Sequence, residues 1–341
     1  MHTADHTLPT SKHFRLQALA KGVYAAIALP GSGSLANAGI IDLGESTLLF
    51  DTFWTPQAAQ DLRMLAEQLT GHSVAYVVNS HADGDHIHGN QACADATIIA
   101  TEQARVAMAG RCAAFVNWLR ANTDAYLRTR EQYITREQDA RRQRALELSL
   151  ASQQAFAEAL PTFELTLPTL TFDKRMTLHG SRRSVELVSL GGGHSESDAF
   201  LLLPDAKIAF MGDLLFVQSH PTTWKGDPHA WIDILEQISA YDLSVLVPGH
   251  GPVGNMQDVV QLQQLLQEML RLVAEVVERK EPAATTETIT LPSAYAAWEE
   301  PELFARNLRF MHELLAKREL VLAPQAPKVK RDAQGRPISG V

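Results

Sequence analysis

Short apolar runs, separated by Gly and Pro, dominate residues 13 to 51. Runs of this length bounded by turn-forming residues are typical of strands in an antiparallel meander. The predicted strands are Phe14–Leu16, Val23–Ile27, Ala38–Asp42 and Thr47–Asp51. A different pattern begins at Pro56, after which apolar residues recur at helical spacing until Gly71. Because proline is favoured in the first helical turn, this pattern predicts a helix from Pro56 to Leu69.

A strand from Val74 to Val78, a short helix from Ile87 to Ala94 and a strand from Thr97 to Ala100 follow in the predicted order. The composition then changes, because no Gly or Pro occurs between Gly110 and Pro161 and the strong helix formers Ala, Arg, Gln, Glu and Leu prevail. We therefore predict one or two long helices inserted at about residues 103–160. Their aromatic residues either pack in the core or overhang a pocket.

Strands return after the predicted insert. They are Leu170–Phe172, Met176–Leu178, Val185–Val188, Ala199–Leu202, Ile208–Phe210 and Val245–Val247, with a helix at His229–Ala240. Beyond residue 254 the pattern is helical to about residue 280 and again from 301 to 317, with a polar linker at 281–288. We predict a domain at 13–254, a helical extension at 255–322 and, from its prolines and charges, a flexible tail at 323–341.

Composition places the chain among ordinary globular proteins. Its 341 residues are 45% hydrophobic, and the net charge of −9 with a pI near 5.8 argues against a nucleic-acid-binding surface. Only two cysteines occur, without the spacing of a metal cluster or disulfide framework. The polar first residues and the lack of a membrane-length apolar run favour a cytoplasmic protein that acts on a small molecule and does not bind a membrane. Whether it forms a homo-oligomer is left open.

Metal-ligand side chains are crowded into the turn Asn79–Asn90, directly after the predicted strand Val74–Val78. Open α/β sheets usually place their chemistry at the carboxyl ends of strands. The alternating imidazoles and carboxylates suit zinc, iron or manganese. The candidate ligands in this turn are His81, Asp83, Asp85 and His86. The alternative is a polar surface turn without a metal.

Three more candidate ligands follow predicted strands elsewhere in the chain: His194, Asp213 and His250. This repeated placement is why the metal interpretation is favoured over a surface turn. His220, shortly after Asp213, is left open between a pocket-lining and a structural position.

Four motifs together resemble the motif series of the metallo-β-lactamase-fold hydrolases. They are HADGDH at His81 to His86, GGGHSESD at Gly191 to Asp198, FMGD at Phe210 to Asp213 and PGHG at Pro248 to Gly251. The resemblance covers roughly residues 14–254. It implies an α/β (α+β) fold, a four-layer αββα sandwich with a metal site at one edge, here with a helical insert and C-terminal helices added.

The resemblance also implies roles for single residues. His81 and His194 would bind a first metal ion, and Asp213 would bridge to a second ion. The implied ligands of the second ion are Asp85, His86 and His250. Asp51, at the end of a predicted strand, matches a carboxylate that orients a ligand histidine. Asp198 matches a structural acid of the fold, not a ligand.

Asp83 departs from the pattern, since most hydrolases of this family have histidine there. With Asp83, the first site would hold two imidazoles and one carboxylate, a combination also used for non-haem iron. We therefore expect two divalent ions, with zinc favoured and iron or manganese as alternatives. If Asp83 instead turns outward, only the second site fills well.

The expected activity is that of a metallo-hydrolase. In such a site a metal-bound hydroxide attacks an ester, thioester, lactone or amide-type bond of a small molecule, with Asp85 and Asp213 as the catalytic carboxylates. Two alternatives are a non-haem iron protein with redox or oxygen chemistry and a β-lactamase. The first would normally need a second cofactor, and the second an export signal, which the N-terminal sequence lacks.

Overall fold

Two β-sheets form the centre of the molecule, and helices cover their outer faces. The computed structural model describes residues 8–322, so the tail predicted at 323–341 lies outside the described residues. The first sheet has seven strands in sequence order. They are β1 (Phe14–Ala20), β2 (Val23–Ala28), β3 (Ala38–Asp42), β4 (Thr47–Phe50), β5 (Val74–Val78), β6 (Thr97–Thr101) and β7 (Leu170–Phe172).

The second sheet has five strands in the order β12, β11, β10, β9, β8. Their bounds are β8 (Arg175–His179), β9 (Ser184–Val188), β10 (Phe200–Leu203), β11 (Ile208–Phe216) and β12 (Val245–His250). In both sheets the first strands along the chain form antiparallel hairpins, whereas β4 to β7 and the pair β11 and β12 are parallel. Parallel strands place their carboxyl ends at one edge, which is where the candidate ligands lie.

Eight α-helices complete the described part of the chain. They are α1 (Pro56–Thr70), α2 (Gly84–Ile87), α3 (Glu102–Ala107), α4 (Ala113–Arg136), α5 (Ala140–Ala159), α6 (Pro228–Ile238), α7 (Met256–Glu278) and α8 (Leu303–Leu322). A π-helical turn, Met108–Cys112, joins α3 to α4. No helix in residues 8–322 combines the length and apolarity needed to cross a membrane.

Apolar side chains that point alternately to the two faces of each sheet hold the layers together. In β4, Leu48 and Phe50 face the second sheet, whereas Leu49 faces α1. In β11, Phe210 faces the first sheet, whereas Met211 faces the layer of α6, α7 and α8. This period of two gives each sheet two buried faces and confirms the predicted four-layer αββα sandwich.

Most predicted elements are confirmed, with two differences near the candidate ligands. The short helix predicted from Ile87 begins three residues earlier as α2 at Gly84 and continues as a 3-10 helix, His88–Cys93. The strand predicted to end before Asp213 continues to Phe216, because an irregularity at Gly212 lets β11 remain paired with β12. Asp213 therefore lies inside a strand, not after it.

The insert and the C-terminal extension contact each other. The Arg141 guanidinium in α5 donates to the carbonyls of Ala296, Ala297 and Trp298 at 3.1, 2.8 and 3.0 Å. One residue further, the Glu299 backbone forms a parallel bridge with Ser219 in the loop after β11. The two helical additions thus meet beside the strand that carries Asp213.

Close contact between the sheets can be tested at Gly39 in β3. A Cβ there would lie 2.5 Å from Cε1 of the buried Phe210 ring. We expect Gly39→Ala to lower the free energy of unfolding by about 1–3 kcal/mol, because overpacking forces neighbouring groups to shift. Gly110→Ala is the matched control, since Gly110 has no atom within 4 Å of its Cβ position. Urea denaturation should leave this control unchanged or stabilised by up to about 1 kcal/mol. Equal stability of both variants would contradict tight packing at Gly39.

Candidate metal centre

Loops and strand ends from both sheets bring the predicted ligands to one edge of the sandwich. His81 follows β5 by three residues, and His250 is the last residue of β12. His194 lies in the loop after β9, six residues beyond Val188. The backbone irregularity in β11 directs Asp213 to the same place, as bulges often re-aim a side chain beside an active site.

Two glycines make room for Asp213. Gly212 has a φ of +51°, and a Cβ on it would lie 2.5 Å from Cβ of Ser80. A Cβ on Gly249 would lie 1.9 Å from Oδ1 of Asp213. The glycines in the FMGD and PGHG motifs are therefore needed for the two strands and the turn after β5 to approach each other.

One group of donor atoms surrounds Oδ1 of Asp213. Nε2 of His86 lies 3.1 Å and Nε2 of His250 3.5 Å from this oxygen. Oδ2 of Asp85 lies 3.8 Å from Nε2 of His86 and 3.4 Å from Nε2 of His250. These four side chains define what we call the second position.

The remaining predicted ligands lie around Oδ2, the other oxygen of Asp213. Nε2 of His194 lies 3.5 Å and Nε2 of His81 3.8 Å from it, and Oδ2 of Asp83 lies 3.6 Å from Nε2 of His81. These four side chains define the first position. The structure therefore brings together all seven predicted ligands, with one oxygen of Asp213 directed to each position.

The donor atoms fit divalent cations. Around a tetrahedral ion with bonds of about 2.0–2.1 Å, neighbouring ligand atoms lie about 3.3 Å apart, close to the separations seen at both positions. Nε2 of His81, Nε2 of His86 and Oδ1 of Asp213 are also buried without a hydrogen-bond partner. Buried polar atoms without partners are costly, and cations at the two positions would satisfy all three.

Carboxylates and histidines at this edge shift each other's pKa. Burial opposes a charge on Asp85, but His86 and His250 outweigh it and lower the pKa of Asp85 to about 2. Burial likewise opposes a charge on His250, but Asp213 and Asp85 raise its pKa to about 10. Burial also opposes a charge on Asp213, but His86, His250 and His194 hold its pKa well below the ordinary value. Both carboxylates are thus ionised at neutral pH, which is the state that binds a metal ion.

Asp51 orients the imidazoles of the ligand turn. Its buried carboxylate accepts from the amide and the hydroxyl of Ser80, both at 2.8 Å, and from Nδ1 of His86 at 2.7 Å. Because the Ser80 hydroxyl donates to Asp51, it accepts from Nδ1 of His81 at 2.9 Å. Protonation at Nδ1 leaves Nε2 of both histidines free as ligand atoms.

The Asp51 backbone is held in an unusual conformation, with a φ of +60°. Such angles in residues other than glycine cluster at functional sites.

Ser80 was not among the predicted site residues. Its position between the predicted strand and His81 could have indicated that it contacts the ligand turn.

Asp198 holds the loop that carries His194. Its carboxylate accepts from the amides of Gly193 and Ser195 at 2.9 Å and from the Ser195 hydroxyl at 2.6 Å. Its oxygens are therefore engaged with the loop, in keeping with the structural role that the resemblance implies.

His220 does not line the site. It is fully buried, its Nε2 lies 3.1 Å from the Tyr295 carbonyl, and its ring packs against Trp298 and Phe304. Of the two positions that the sequence left open for His220, the structure shows the structural one, because the C-terminal extension covers this part of the loop. No pattern in the sequence of that extension predicts where it packs.

Two basic residues that were not predicted as site residues contact Asp83. Nζ of Lys225 lies 2.6 Å from Oδ2, and Nη1 of Arg111 lies 3.4 Å from Oδ1. Arg111 belongs to the π-helical turn before α4, and Lys225 to the loop between β11 and α6. Asp83 therefore faces a metal position on one side and two cations on the other.

Comparison with known proteins gives one family and one fold. The sequence model described as the metallo-beta-lactamase superfamily matches residues 31–250. Similar solved structures include a metallo-beta-lactamase from Pontibacter korlensis, with 16% identity, a TM-score of 0.53 and coverage of 75% of this chain and 99% of that one. FIM-1 from Pseudomonas aeruginosa, in a mono-zinc form, has 15% identity, a TM-score of 0.52 and coverage of 77% and 98%.

A third similar structure is VMB-1, with 18% identity, a TM-score of 0.53 and coverage of 76% of this chain and 99% of that one. At these identities the similarity shows the fold alone. A search of curated proteins returned no match.

The role of Asp51 can be tested by Asp51→Asn. An amide nitrogen in place of Oδ2 cannot accept the hydrogen bonds of the Ser80 hydroxyl and of Nδ1 of His86, so both imidazoles lose their orientation. We expect metal affinity to fall about 10–100-fold, measured by titrating metal-free protein with Zn²⁺. Asp42→Asn is the control, because Asp42 is equally buried but pairs with Gly44 and Arg182 instead. Wild-type affinity in Asp51→Asn would show that this carboxylate does not orient the ligands.

Proposed function

The chain belongs to the metallo-beta-lactamase superfamily, and from that premise we propose that it is a metal-dependent hydrolase of an ester, thioester, lactone or amide bond in a small molecule. The observation that carries this proposal is the division of the Asp213 carboxylate, whose Oδ1 faces two histidines and whose Oδ2 faces two others. A carboxylate in this arrangement suits a bridging ligand, so the proposed centre is dinuclear. Zinc is favoured, with iron or manganese as alternatives because of Asp83.

Bound divalent ions would supply the hydrolytic chemistry by lowering the pKa of a water molecule and polarising the bond that is attacked. The side chains of this protein prepare the site for that chemistry. Asp51 and Ser80 keep the protons of His86 and His81 on Nδ1, and Asp213 fixes the spacing of the two positions. These side chains are thereby preorganised, so little reorganisation is needed during reaction.

Asp85 is proposed to handle a proton as well as bind a metal. Its side chain is 20% exposed, whereas that of Asp213 is 5% exposed and its Oδ1 is fully buried. The Asp85 carboxyl is therefore the one that reaches toward solvent and incoming substrate. It can accept a proton from the attacking water and pass it to the leaving group.

Substrate choice is proposed to depend on the two helical additions. The segment held by Arg141 pairs with the loop after β11, where Val217 donates to the His250 carbonyl at 3.1 Å. At the end of this segment, burial raises the pKa of the Glu300 carboxyl, although the nearby His250 lowers it. The additions thus border the second position without supplying a ligand to it.

Asp213→Ala should lower metal content and hydrolytic activity together, because its carboxylate serves both positions. The experiment combines metal analysis of the purified protein with a screen over ester, thioester, lactone, β-lactam and phosphodiester substrates. Asp205→Ala is the matched control, since Asp205 lies in an exposed turn. Full stoichiometry and full activity in Asp213→Ala would refute the bridging role.

Arg141→Ala should release the segment beside the site while leaving the ligands intact. We expect a several-fold lower kcat/KM, through a higher KM, with unchanged metal stoichiometry. Arg142→Ala is the neighbouring control, because the hydrogen bonds to the carbonyls of residues 296–298 come from Arg141 and not from Arg142. A loss of metal in Arg141→Ala would instead show that the insert supports the metal positions directly.

A further inference from the structure

The two metal positions differ in how many of their ligand atoms already have hydrogen-bond or ion-pair partners in the protein. At the second position, Nε2 of His86 and Oδ1 of Asp213 have no hydrogen-bond partner. Among the described side chains, neither Asp85 nor Asp213 forms an ion pair with a lysine or an arginine. Their ligand atoms face one another, and no lysine or arginine of the described residues competes with a metal ion for them.

At the first position, two ligand atoms already have protein partners. Oδ2 of Asp83 lies 2.6 Å from Nζ of Lys225, closer than the 3.6 Å to Nε2 of His81. Nε2 of His194 lies 2.9 Å from Oγ1 of Thr222. Nε2 of His81, by contrast, is buried at this position without a hydrogen-bond partner.

Thr222 and Lys225 belong to one loop, residues 217–227, which we call the β11–α6 loop. This loop is fixed against the ligands on one side, because a Cβ on Gly226 would lie 2.0 Å from the Gly193 carbonyl oxygen and 2.6 Å from that of His194. It is fixed on the other side by Trp224, whose ring stacks under the Arg306 guanidinium at 4.4 Å. The contacts of Lys225 and Thr222 are therefore set by the packing of the loop backbone.

Arg111 adds a second cation beside Asp83. Its Nη1 lies 3.4 Å from Oδ1 of Asp83, and its Nε lies 3.1 Å from Oε1 of Glu196. Since Glu196 shares the Arg111 charge, Lys225 is the stronger of the two competitors for Asp83. A metal ion at the first position would have to share or displace these cations and would be repelled by them.

We propose that the β11–α6 loop, through Lys225 and Thr222, competes with the metal ion at the first position, so that the second position binds metal more tightly than the first. This inference rests on the proposed metal centre and specifies its occupancy. It makes Lys225 a positioning residue that acts through Asp83.

The test is titration of metal-free, full-length protein with Zn²⁺ by calorimetry, with metal counted after dialysis. Wild type should show one tight and one weaker binding event, separated at least about tenfold in affinity, as changes around ligands typically produce. His81→Ala should remove the weaker event, and His250→Ala should remove the tight one. Two events of equal affinity in wild type would overturn the inference.

Lys225→Met keeps much of the side-chain volume but removes the charge. It should raise affinity for the weaker event about 10-fold or more and leave the tight event unchanged, whereas Lys225→Arg should resemble wild type. Lys207→Met is the matched control, because Lys207 pairs with Asp242 on the surface. An unchanged weaker event in Lys225→Met would overturn the role of Lys225.

Thr222→Val is a second test of competition by the β11–α6 loop, and it does not change any charge. It should also strengthen the weaker event, because Nε2 of His194 loses its hydroxyl partner. A variant with no change here and in Lys225→Met would refute competition by the loop. Failure of the proposed metal centre, on which the proposed function depends, looks different, since wild type would then bind no Zn²⁺ at either position.

Discussion

The buried carboxylate of Asp51 ties the end of β4 to the turn after β5, and the candidate centre depends on this contact. It accepts the Ser80 amide and hydroxyl and Nδ1 of His86, and through Ser80 it also reaches His81. Leaving these buried donors without an acceptor would cost free energy and would release two imidazoles. One carboxylate thereby sets both the backbone path of the turn and the direction of its ligand atoms.

The second sheet meets this turn through glycine. Gly212 and Gly249 let β11 and β12 approach the Ser80 side chain and the Asp213 carboxylate more closely than any Cβ would allow. The same approach places the Asp213 oxygens between histidines from both sheets. The geometry of the centre therefore depends on how the two sheets pack against each other.

The helical additions change the surroundings of this centre, not its ligands. Arg111 from the insert reaches Asp83, and Arg141 from the same insert holds the C-terminal segment that covers His220. Lys225 lies in the β11–α6 loop, outside both helical additions. Its position nevertheless depends partly on Arg306 in α8, which contacts the neighbouring Trp224. Specificity and metal occupancy are thus open to variation in these segments while the ligand set stays the same.

Local pattern was sufficient for the elements and for the kinds of ligand. The period of two in β4 and β10, the helical spacing in α1 and α7, and histidine or aspartate at strand ends are properties of short stretches, so these patterns predicted the elements and the seven ligand candidates. The four layers and the place of Asp51 beside the ligands were implied by the resemblance of four motifs to a known family. These features need no knowledge of which distant residues meet.

Tertiary packing alone decided the rest. The continuation of β11 past Asp213 depends on pairing with β12, and the burial of His220 depends on where the C-terminal extension lies. The contacts of Asp83 join residues separated by 28 positions for Arg111 and 142 for Lys225. No periodicity or motif records such pairs, because the distances between side chains so far apart in sequence are set only when the sheets, the loop and the insert pack together.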